Sequence, residues 1–503
     1  MQTRTYRPIR AGQTLPRTDQ LAWSIAEMAA GAWDDDPEID EMVGNRLIDN
    51  AGVAIAALNR PAVATARAQA LAHPSDRGGT LIGLSRDRRF APDWAAWANA
   101  VAVRELDFHD NIMAAESGHP GDAIPTLLAV AQHCGRSGRD LIRGVAVAYE
   151  TQLRLAEGVA LAPHRIDHMG HLGPAIAAGL GALLRLDTET IYQAVQFAAH
   201  CSIFTRQGRK GALSSWKAFA PGLVGRMAIT AVDRAMRGET SPSPVWEGDY
   251  GIMAILLDGP DARYDIRLPT GSEPRRGILS TFTKEHSAGY HGNALIDLAK
   301  KIRPRIPDLS RIEKIDIHSK TYTHVVMGSG SGDPEKYDPR ASRETLDHSA
   351  MYIFAVALED GDWHHEASYA PARRQRPDTV ALWRKVETHE DPDWNARYDG
   401  EPDPLKKAQG ARVTVTLTSG ETLEETLDVA NAHPRGATPF GRAEYLRKAD
   451  RLFQGFLSDS ERGRFYRLVA ALPDLGADDL RALNPVSDLT RPDPDARDDR
   501  GIF

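Results

Sequence analysis

The segment from Leu106 to Asp122 carries more groups able to do acid–base chemistry than any other stretch of similar length. It holds three aspartates, one glutamate and two histidines between two alanine-rich runs with helical spacing. Buried groups of this polarity must face a cavity or one another. His119 precedes Pro120, which disfavours a helical backbone at the histidine and lets its imidazole face a cleft. The alternative is a capping loop, in which Asp122 caps the next helix.

Two further segments place polar side chains beside apolar helices. Residues 163–171 include His164, His168 and His171, a group that would suit zinc, but there is no His-Glu-x-x-His motif and no cysteine nearby. Histidines at the start of a helix also serve as neutral caps, so we rank the zinc hypothesis below capping. Lys217 opens an alanine-rich helix, where a lysine is by default solvated.

A lysine and two histidines follow at the point where the sequence pattern changes, namely Lys284, His286 and His291. Such residues between two domains would line a cleft, which is a common place for a small-molecule site. The glycines of 328–332 lack the strand-to-helix context of a dinucleotide-binding motif, so we predict a flexible loop there.

Composition limits the class of protein. The 503 residues favour two domains, and a net charge of −8 without a basic cluster argues against a nucleic-acid partner. A small anionic substrate needs only a few local cations. The two cysteines, Cys134 and Cys201, lie in apolar helical surroundings and are typical of a reducing compartment. We find no apolar leader and no 18-residue apolar run, and therefore expect a cytoplasmic protein without a membrane span.

The periodicity predicts how these residues are positioned. After an arm at residues 1–18, helical spacing continues to about 277 and returns from Arg442, so we expect residues 1–277 and 436–503 to form one helical domain. Between them, a strand at Ile312–Ser319, a hairpin near Ser419-Gly420, and helices at 288–302 and 345–358 predict a smaller α+β domain over 278–435. The charged, proline-containing end from Thr490 is predicted to be disordered.

Taken in order, these motifs resemble those of the MmgE/PrpD family over most of the chain. The resemblance rests on Leu106-Asp107-Phe108-x-Asp110 with Gly118-His119-Pro120, Ile166-Asp167-His168, Ser215-Trp216-Lys217, and Phe282-x-Lys284 with Ala288 and His291. It implies a mainly α fold, with a large all-helical domain formed by both chain ends and a smaller α+β lid. It also implies a homodimer without metal or organic cofactor that removes water from a small tricarboxylate, 2-methylcitrate, in propionate catabolism.

The resemblance assigns two sets of site residues. The catalytic set is Asp107, His119, His168, Lys217 and Lys284, and the substrate-binding set is Asp110, Asn111, His291, Tyr322 and His348. Asn111 stands where many members have threonine, but an amide can also hydrogen-bond a carboxylate. Tyr322 and His324 are both candidates for the tyrosine that related decarboxylases contribute from the lid.

Dehydration of a hydroxytricarboxylate requires a base, an acid for the leaving hydroxide, and cations for the carboxylates. His119, His168 and Asp107 are all candidates for the base or acid, and Lys217 and Lys284 are candidates for the cations. Three alternatives remain. They are another tricarboxylate lyase or isomerase reaction on the same fold, above all cis-aconitate decarboxylation, a metal-dependent enzyme that uses the three histidines of 163–171, and a non-catalytic helical scaffold.

Overall fold

The computed structural model describes residues 1–487 and 501–502. The disorder predicted from Thr490 onward falls outside these ranges, except at residues 501–502. Helices dominate the chain up to residue 260 and return after residue 440. The first series is α1 (Leu21–Ala30), α2 (Pro37–Ala56), α3 (Pro61–Leu71), α4 (Pro92–Glu105), α5 (Ile124–Cys134), α6 (Gly138–Gly158), α7 (Met169–Leu184), α8 (Thr188–Cys201), α9 (Trp216–Met236) and α10 (Ile252–Ile255).

The middle of the chain mixes helices with strands, and three helices follow it. The helices are α11 (Tyr290–Ile302), α12 (Arg343–Leu346), α13 (Ala350–Asp360), α14 (Pro371–Arg374), α15 (Pro377–Trp383), α16 (Pro392–Asp399), then α17 (Arg442–Phe453), α18 (Asp459–Ala470) and α19 (Ala477–Arg481). The strands of the whole chain are β1 (Gln2–Tyr6), β2 (Pro74–Gly79), β3 (Ile112–Met113), β4 (Ser117–Gly118), β5 (Tyr264–Leu268), β6 (Ile312–Ser319), β7 (Val386–Glu390), β8 (Ala411–Leu417) and β9 (Thr422–Leu427).

Two hydrophobic cores organise the described residues. The larger core runs from Tyr6 to Ile278 and also includes Tyr445 to Leu483, because α17 packs against α2. The smaller core runs from Ala288 to Leu423 and lies around a four-stranded sheet of order β7-β6-β8-β9. In that sheet β6 pairs in parallel with β7 and antiparallel with β8. The mainly α prediction is consistent with this structure, whereas the boundaries at 277 and 436 stay predictions.

Glycines let the central helices of the larger core approach closely. A Cβ atom on Gly144 of α6 would lie 2.9 Å from the carbonyl oxygen of Gly179 on α7. A Cβ atom on Gly179 would in turn lie 2.7 Å from the carbonyl oxygen of Gly144. Any side chain at either position would therefore push the two helices apart.

The prediction of an all-helical first part is wrong in detail, because the short strands β1 to β5 all lie within residues 1–277. Strand β1 lies in the expected N-terminal arm and pairs antiparallel with β5, with Tyr6 opposite Tyr264. The side chains of β5 alternate between buried and exposed, and Ile266 and Leu268 join the larger core. Five-residue strands whose partners are about 260 residues apart give too weak a periodic signal to separate from a loop.

Asp122 does not cap a helix, contrary to the capping-loop alternative. A 3₁₀ turn at Pro120–Ala123 precedes α5, and Asp122 instead pairs with the ring of His109 at 2.9 Å. The glycine-containing segment 328–332 includes a 3₁₀ turn whose Ser329 hydroxyl bonds to Thr388. Cys134 is exposed and not packed as a small hydrophobe. Among the described residues, no helix combines the length and the apolar character needed to cross a bilayer.

Candidate active site

Asp107 is the anionic centre of the candidate site. It lies two residues beyond Glu105, the last residue of α4, has a left-handed backbone with φ 47°, and contacts Arg104 of that helix. Its buried carboxylate lies 2.5 Å from Lys284 Nζ, 3.2 Å from Arg104 Nη1 and 3.2 Å from Lys217 Nζ. Burial disfavours the charge, but Lys217, Lys284 and Arg104 outweigh it and hold the pKa of the Asp107 carboxyl well below its usual value.

Backbone pairing brings Lys284 to this carboxylate. The N–H of Asn111 donates to the carbonyl oxygen of Phe282 at 2.8 Å, and the N–H of Phe282 donates to Asn111 at 3.1 Å. This bridge fixes the chain two residues before Lys284, whose ammonium also donates to the Asp107 carbonyl oxygen at 2.9 Å. Burial lowers the pKa of Lys284 to about 8, even though Asp107 favours its charge. Its proton is therefore easier to transfer than that of an ordinary lysine.

Lys217 lies in the first turn of α9 and connects two carboxylates. Its Nζ atom is 2.7 Å from Asp347 Oδ1 and 3.2 Å from Asp107 Oδ2. Asp347 also contacts the ring of its neighbour His348. Lys217 is 4% exposed, so the default interpretation of a solvated lysine does not hold. The ammonium is instead held by the two buried carboxylates.

His119 has one ring nitrogen engaged and one directed toward the centre of the site. Its Nδ1 atom lies 2.7 Å from the carbonyl oxygen of Asp110. A carbonyl can only accept, so Nδ1 carries the proton and Nε2 presents its lone pair, 3.8 Å from Asp107 Oδ1. Burial and the charges of Arg104 and Lys284 lower the pKa of His119 well below its usual value. The imidazole is thus neutral near pH 7, as a general base must be.

Asp110 lies behind His119 and not on the cavity. Its carboxylate accepts from the Tyr149 hydroxyl at 2.6 Å and from the Gly121 N–H at 2.9 Å, and it lies 3.6 Å from Arg46. These contacts satisfy the carboxylate and fix the turn that carries His119. Within the predicted set, Asp110 therefore positions the turn and does not face a ligand.

His168, like Asp110, does not line the cavity at the centre of the site. Its Nδ1 atom is 3.0 Å from Asp167, which also accepts a hydrogen bond from Arg209 at 2.9 Å. The rings of His168 and His119 are 5.7 Å apart. Burial lowers the pKa of His168, so this imidazole is a second neutral group next to His119.

A small inner cavity lies among these residues, with a volume of about 40 Å³. That is close to the volume of one water molecule, roughly 30 Å³. Seven of the ten predicted site residues line it, namely Asp107, Asn111, His119, Lys284, His291, Tyr322 and His348. Both cores contribute, because Asp107 to His119 belong to the larger core's side and Tyr322 and His348 belong to the smaller one's. The three remaining residues, Asp110, His168 and Lys217, do not line the cavity. They lie next to residues that do, or to the turn that carries them.

The smaller core contributes Tyr322 and His348 to the cavity. The Tyr322 hydroxyl lies 3.3 Å from Ser117 Oγ, across the boundary between the two cores. His324, the alternative to Tyr322, bonds to Thr388 at 2.8 Å and does not line the cavity. His348 Nε2 lies 3.8 Å from Asp107, and burial together with Lys217 lowers the pKa of His348 to about 4.

Two residues of the charge network, Arg104 and Asp347, were not among the predicted set. Arg104 is 3% exposed, and it is the single charged residue within residues 95–104 of α4. A lone arginine in such an apolar run is a detectable signal. Asp347 is adjacent to the predicted His348, but sequence gives no sign that its partner Lys217 lies 130 residues earlier.

The three histidines of 163–171 do not converge on one point. His164 pairs with Asp258 at 3.4 Å, His168 pairs with Asp167, and His171 Nε2 lies 2.9 Å from the Val159 carbonyl oxygen. Among the described residues, they do not form a group with ligand atoms within 4.8 Å of one another. The structure therefore does not bring these three residues together as ligands of one metal ion.

Asp107, Asp347 and His348 do come within that distance, but the Lys217 ammonium already lies between the two carboxylates. We therefore expect catalytic activity to be unchanged after treatment with a chelator and gel filtration. The measurement is the initial rate before and after treatment, with a zinc enzyme treated in parallel as the control. A rate that falls with chelation and returns with an added divalent cation would contradict this expectation.

Comparison with known proteins matches most of the chain to two domain models of one family. Residues 19–265 match the MmgE/PrpD N-terminal domain, and residues 286–474 match the MmgE/PrpD C-terminal domain. A Salmonella typhi protein named 2-methylcitrate dehydratase is 26% identical over 355 residues, which cover 67% of this chain and 70% of that protein.

Two other relatives cover more of the chain. A Cupriavidus necator protein, also named 2-methylcitrate dehydratase, is 25% identical over 76% of this chain and 79% of its own length. A fungal alkylcitrate dehydratase is 24% identical over 76% of this chain and 77% of its own length. With both domain models matched in order and the motif residues gathered around one cavity, this chain belongs to the MmgE/PrpD family.

Proposed function

We propose that this protein is a hydro-lyase that removes water from 2-methylcitrate to give 2-methyl-cis-aconitate, without a metal or organic cofactor. The observation that carries the proposal is a neutral imidazole, His119, beside a cavity where Lys217, Lys284 and Arg104 converge on one carboxylate. Lys217 also pairs with Asp347, so three buried cations face two carboxylates, and this excess of positive charge suits a substrate that brings several carboxylates. The names of the relatives support the same reaction.

In the proposed mechanism His119 Nε2 takes the proton from the carbon next to a substrate carboxylate. The negative charge then spreads onto that carboxylate, and the Lys217 ammonium, which lies behind the cavity wall beside Asp107, stabilises it at longer range. Lys284 gives a proton to the departing hydroxide, which leaves as water. His119 ends protonated and Lys284 neutral, and proton exchange with solvent restores both groups.

The inner cavity is too small for a tricarboxylate, so substrate entry requires the two cores to separate. Residues 278–435 carry Tyr322 and His348, and we propose that this α+β part acts as a lid. Closure over the substrate would exclude water and strengthen each charge interaction at the reacting atoms. The family resemblance also leads us to propose a cytoplasmic homodimer, which light scattering on the purified protein tests for oligomeric state.

The decisive experiment follows the ultraviolet absorbance of the conjugated enoate while purified, chelator-treated protein is offered 2-methylcitrate. Citrate and cis-aconitate are run in parallel, with carbon dioxide release measured for the latter. A faster rise with 2-methylcitrate than with citrate supports the proposal. Carbon dioxide from cis-aconitate without any rise would move the reaction to decarboxylation, and saturable binding without turnover would contradict both reactions.

The pH dependence of kcat/KM should show one limb, on the alkaline side. The Lys284 ammonium is lost as pH rises through about 8, so we expect kcat/KM to fall above that pH. The pKa of His119 lies well below 6.5, so the base stays neutral and no fall is expected between pH 8 and 6.5. The measurement is kcat/KM across this range. Lys217→Arg is the control, because it retains Lys284 and therefore the limb, whereas a profile that stays flat to pH 10 would contradict the role of Lys284.

A further inference from the structure

A second, larger cavity adjoins the inner one, with a volume of about 880 Å³, and we call it the outer cavity. Four residues line both spaces: Met113, Ser117, Tyr322 and Val326. The hydrogen bond between Ser117 and Tyr322 therefore stands at the boundary between the two cavities. A ligand bound at the inner cavity can reach the outer one past this pair.

Lys320 in the wall of the outer cavity carries a buried amino group without a hydrogen-bond acceptor. It follows the last residue of β6, is 1% exposed, and its Nζ atom has no hydrogen-bond partner among the residues that the structure describes. The ammonium lies 3.1 Å from the centroid of the Tyr398 ring, which is its cation–π contact. An ammonium has three donors, and burying them unsatisfied costs free energy. Burial and the nearby Lys407 accordingly lower the pKa of Lys320 well below its usual value.

Lys320 lies close enough to the inner cavity to act on its residues. Its charge lowers the pKa of His291, after the larger effect of burial, and His291 lines the inner cavity. Tyr322, two residues after Lys320, lines both cavities. Arg206 adds a second cation to the outer wall, where Tyr322 and Glu116 raise its pKa against the lowering effect of burial. The outer side of the Ser117–Tyr322 pair thus carries basic side chains, namely Lys320, Arg206, Arg267 and Lys407, and also the carboxylates of Glu116, Glu157, Asp399 and Glu401.

We propose that Lys320 binds the substrate carboxylate that is remote from the reacting carbons, and so selects tricarboxylates over hydroxydicarboxylates. This inference rests on the proposed function. In 2-methylcitrate two carboxylates sit on the carbons that become the double bond, and the third is carried on a methylene group. We expect the cations around Asp107 to attract the first two carboxylates. The third carboxylate then accepts a hydrogen bond from Lys320 Nζ, which has no acceptor in the ligand-free protein. A charge-assisted hydrogen bond of this kind contributes about ten-fold or more in affinity.

The test compares two unreactive ligands by calorimetry. Propane-1,2,3-tricarboxylate has all three carboxylates and no leaving group, and methylbutanedioate lacks one terminal carboxylate. We expect Lys320→Met to weaken binding of the tricarboxylate about ten-fold or more while changing the dicarboxylate less than about two-fold. Lys407→Met is the matched control, because Lys407 lines the same cavity but already donates to the Tyr398 carbonyl oxygen at 2.7 Å. Because removing the Lys407 charge favours the Lys320 ammonium, Lys407→Met should not weaken binding of the tricarboxylate.

The outcomes separate the two proposals. If the unmodified protein binds neither ligand, the proposed function fails, and this inference fails with it. If the unmodified protein prefers the tricarboxylate and Lys320→Met retains that preference, the role of Lys320 is overturned while the proposed function stands. Circular dichroism checks the fold of each variant. Lys320→Gln, which keeps a polar side chain, carries the same test if the methionine variant does not fold.

Discussion

His119→Asn is expected to lower kcat for 2-methylcitrate dehydration by about 10³-fold, the range found when a general base is removed. The Asn amide can still donate to the Asp110 carbonyl oxygen that now accepts from His119 Nδ1, so the turn should persist. What disappears is the Nε2 lone pair beside Asp107. The measurement is the steady-state rate of enoate formation, with circular dichroism as the check on folding.

His171→Asn is the matched control for this variant. His171 is also buried, and its Nε2 atom bonds to a backbone carbonyl, but it does not line the inner cavity. We expect its kcat to stay within a few-fold of the parent value. If the His119 variant kept most of its activity, the base would have to be another group, and His168 would be tested next.

Asp107→Asn is expected to destabilise the ligand-free protein by about 3–5 kcal/mol, the usual cost when one partner is removed from a buried ion network. The substitution leaves the charges of Lys217, Lys284 and Arg104 without their shared carboxylate. Backbone strain is not the cause, because asparagine adopts the left-handed conformation of this position as readily as aspartate. Urea unfolding followed by circular dichroism measures the loss.

A bound tricarboxylate should return part of this stability, since its carboxylates supply the missing negative charge. We therefore expect propane-1,2,3-tricarboxylate to raise the unfolding midpoint more in Asp107→Asn than in the parent. Asp265→Asn, in the short strand β5, is the control and should change the free energy of unfolding by less than about 0.5 kcal/mol. An Asp107 variant as stable as the parent would show that the three cations do not depend on this carboxylate.

Local sequence was sufficient where a residue's neighbours determine its role. Pro120 after His119 indicated a non-helical turn, and the structure has that turn, although its fixing by Asp110 was not foreseen. The strand at Ile312–Ser319 is predicted from Ile312, Ile315 and Ile317 and is confirmed with the same bounds, and a register shift between Ile312 and Lys314 accommodates the odd spacing of the first two. Such features depend on residues only a few positions apart.

Periodicity does not predict contacts between residues that are far apart in the sequence. Lys217 and Asp347 are 130 residues apart, and β1 and β5 are about 260 residues apart. Neither pairing changes the local pattern, because an ion pair needs only two side chains and a five-residue strand contains only two periods. The family resemblance supplied Lys217 and Lys284, whereas Arg104 and Asp347 emerged only when the chain was seen folded.

The packing of α17 on α2 has a consequence for how the chain folds during translation. Arg46 of α2 is buried against Tyr445 of α17, its partner 399 positions later in the chain. At 5–20 residues per second, translation separates the two by about 20–80 s. Until then one face of α2 has nothing to cover it, while the smaller core, ending near Leu423, can close earlier. We therefore expect nascent chains of this protein to need chaperone protection at the N-terminal segment that contains α2, and not at the segment that was synthesised last.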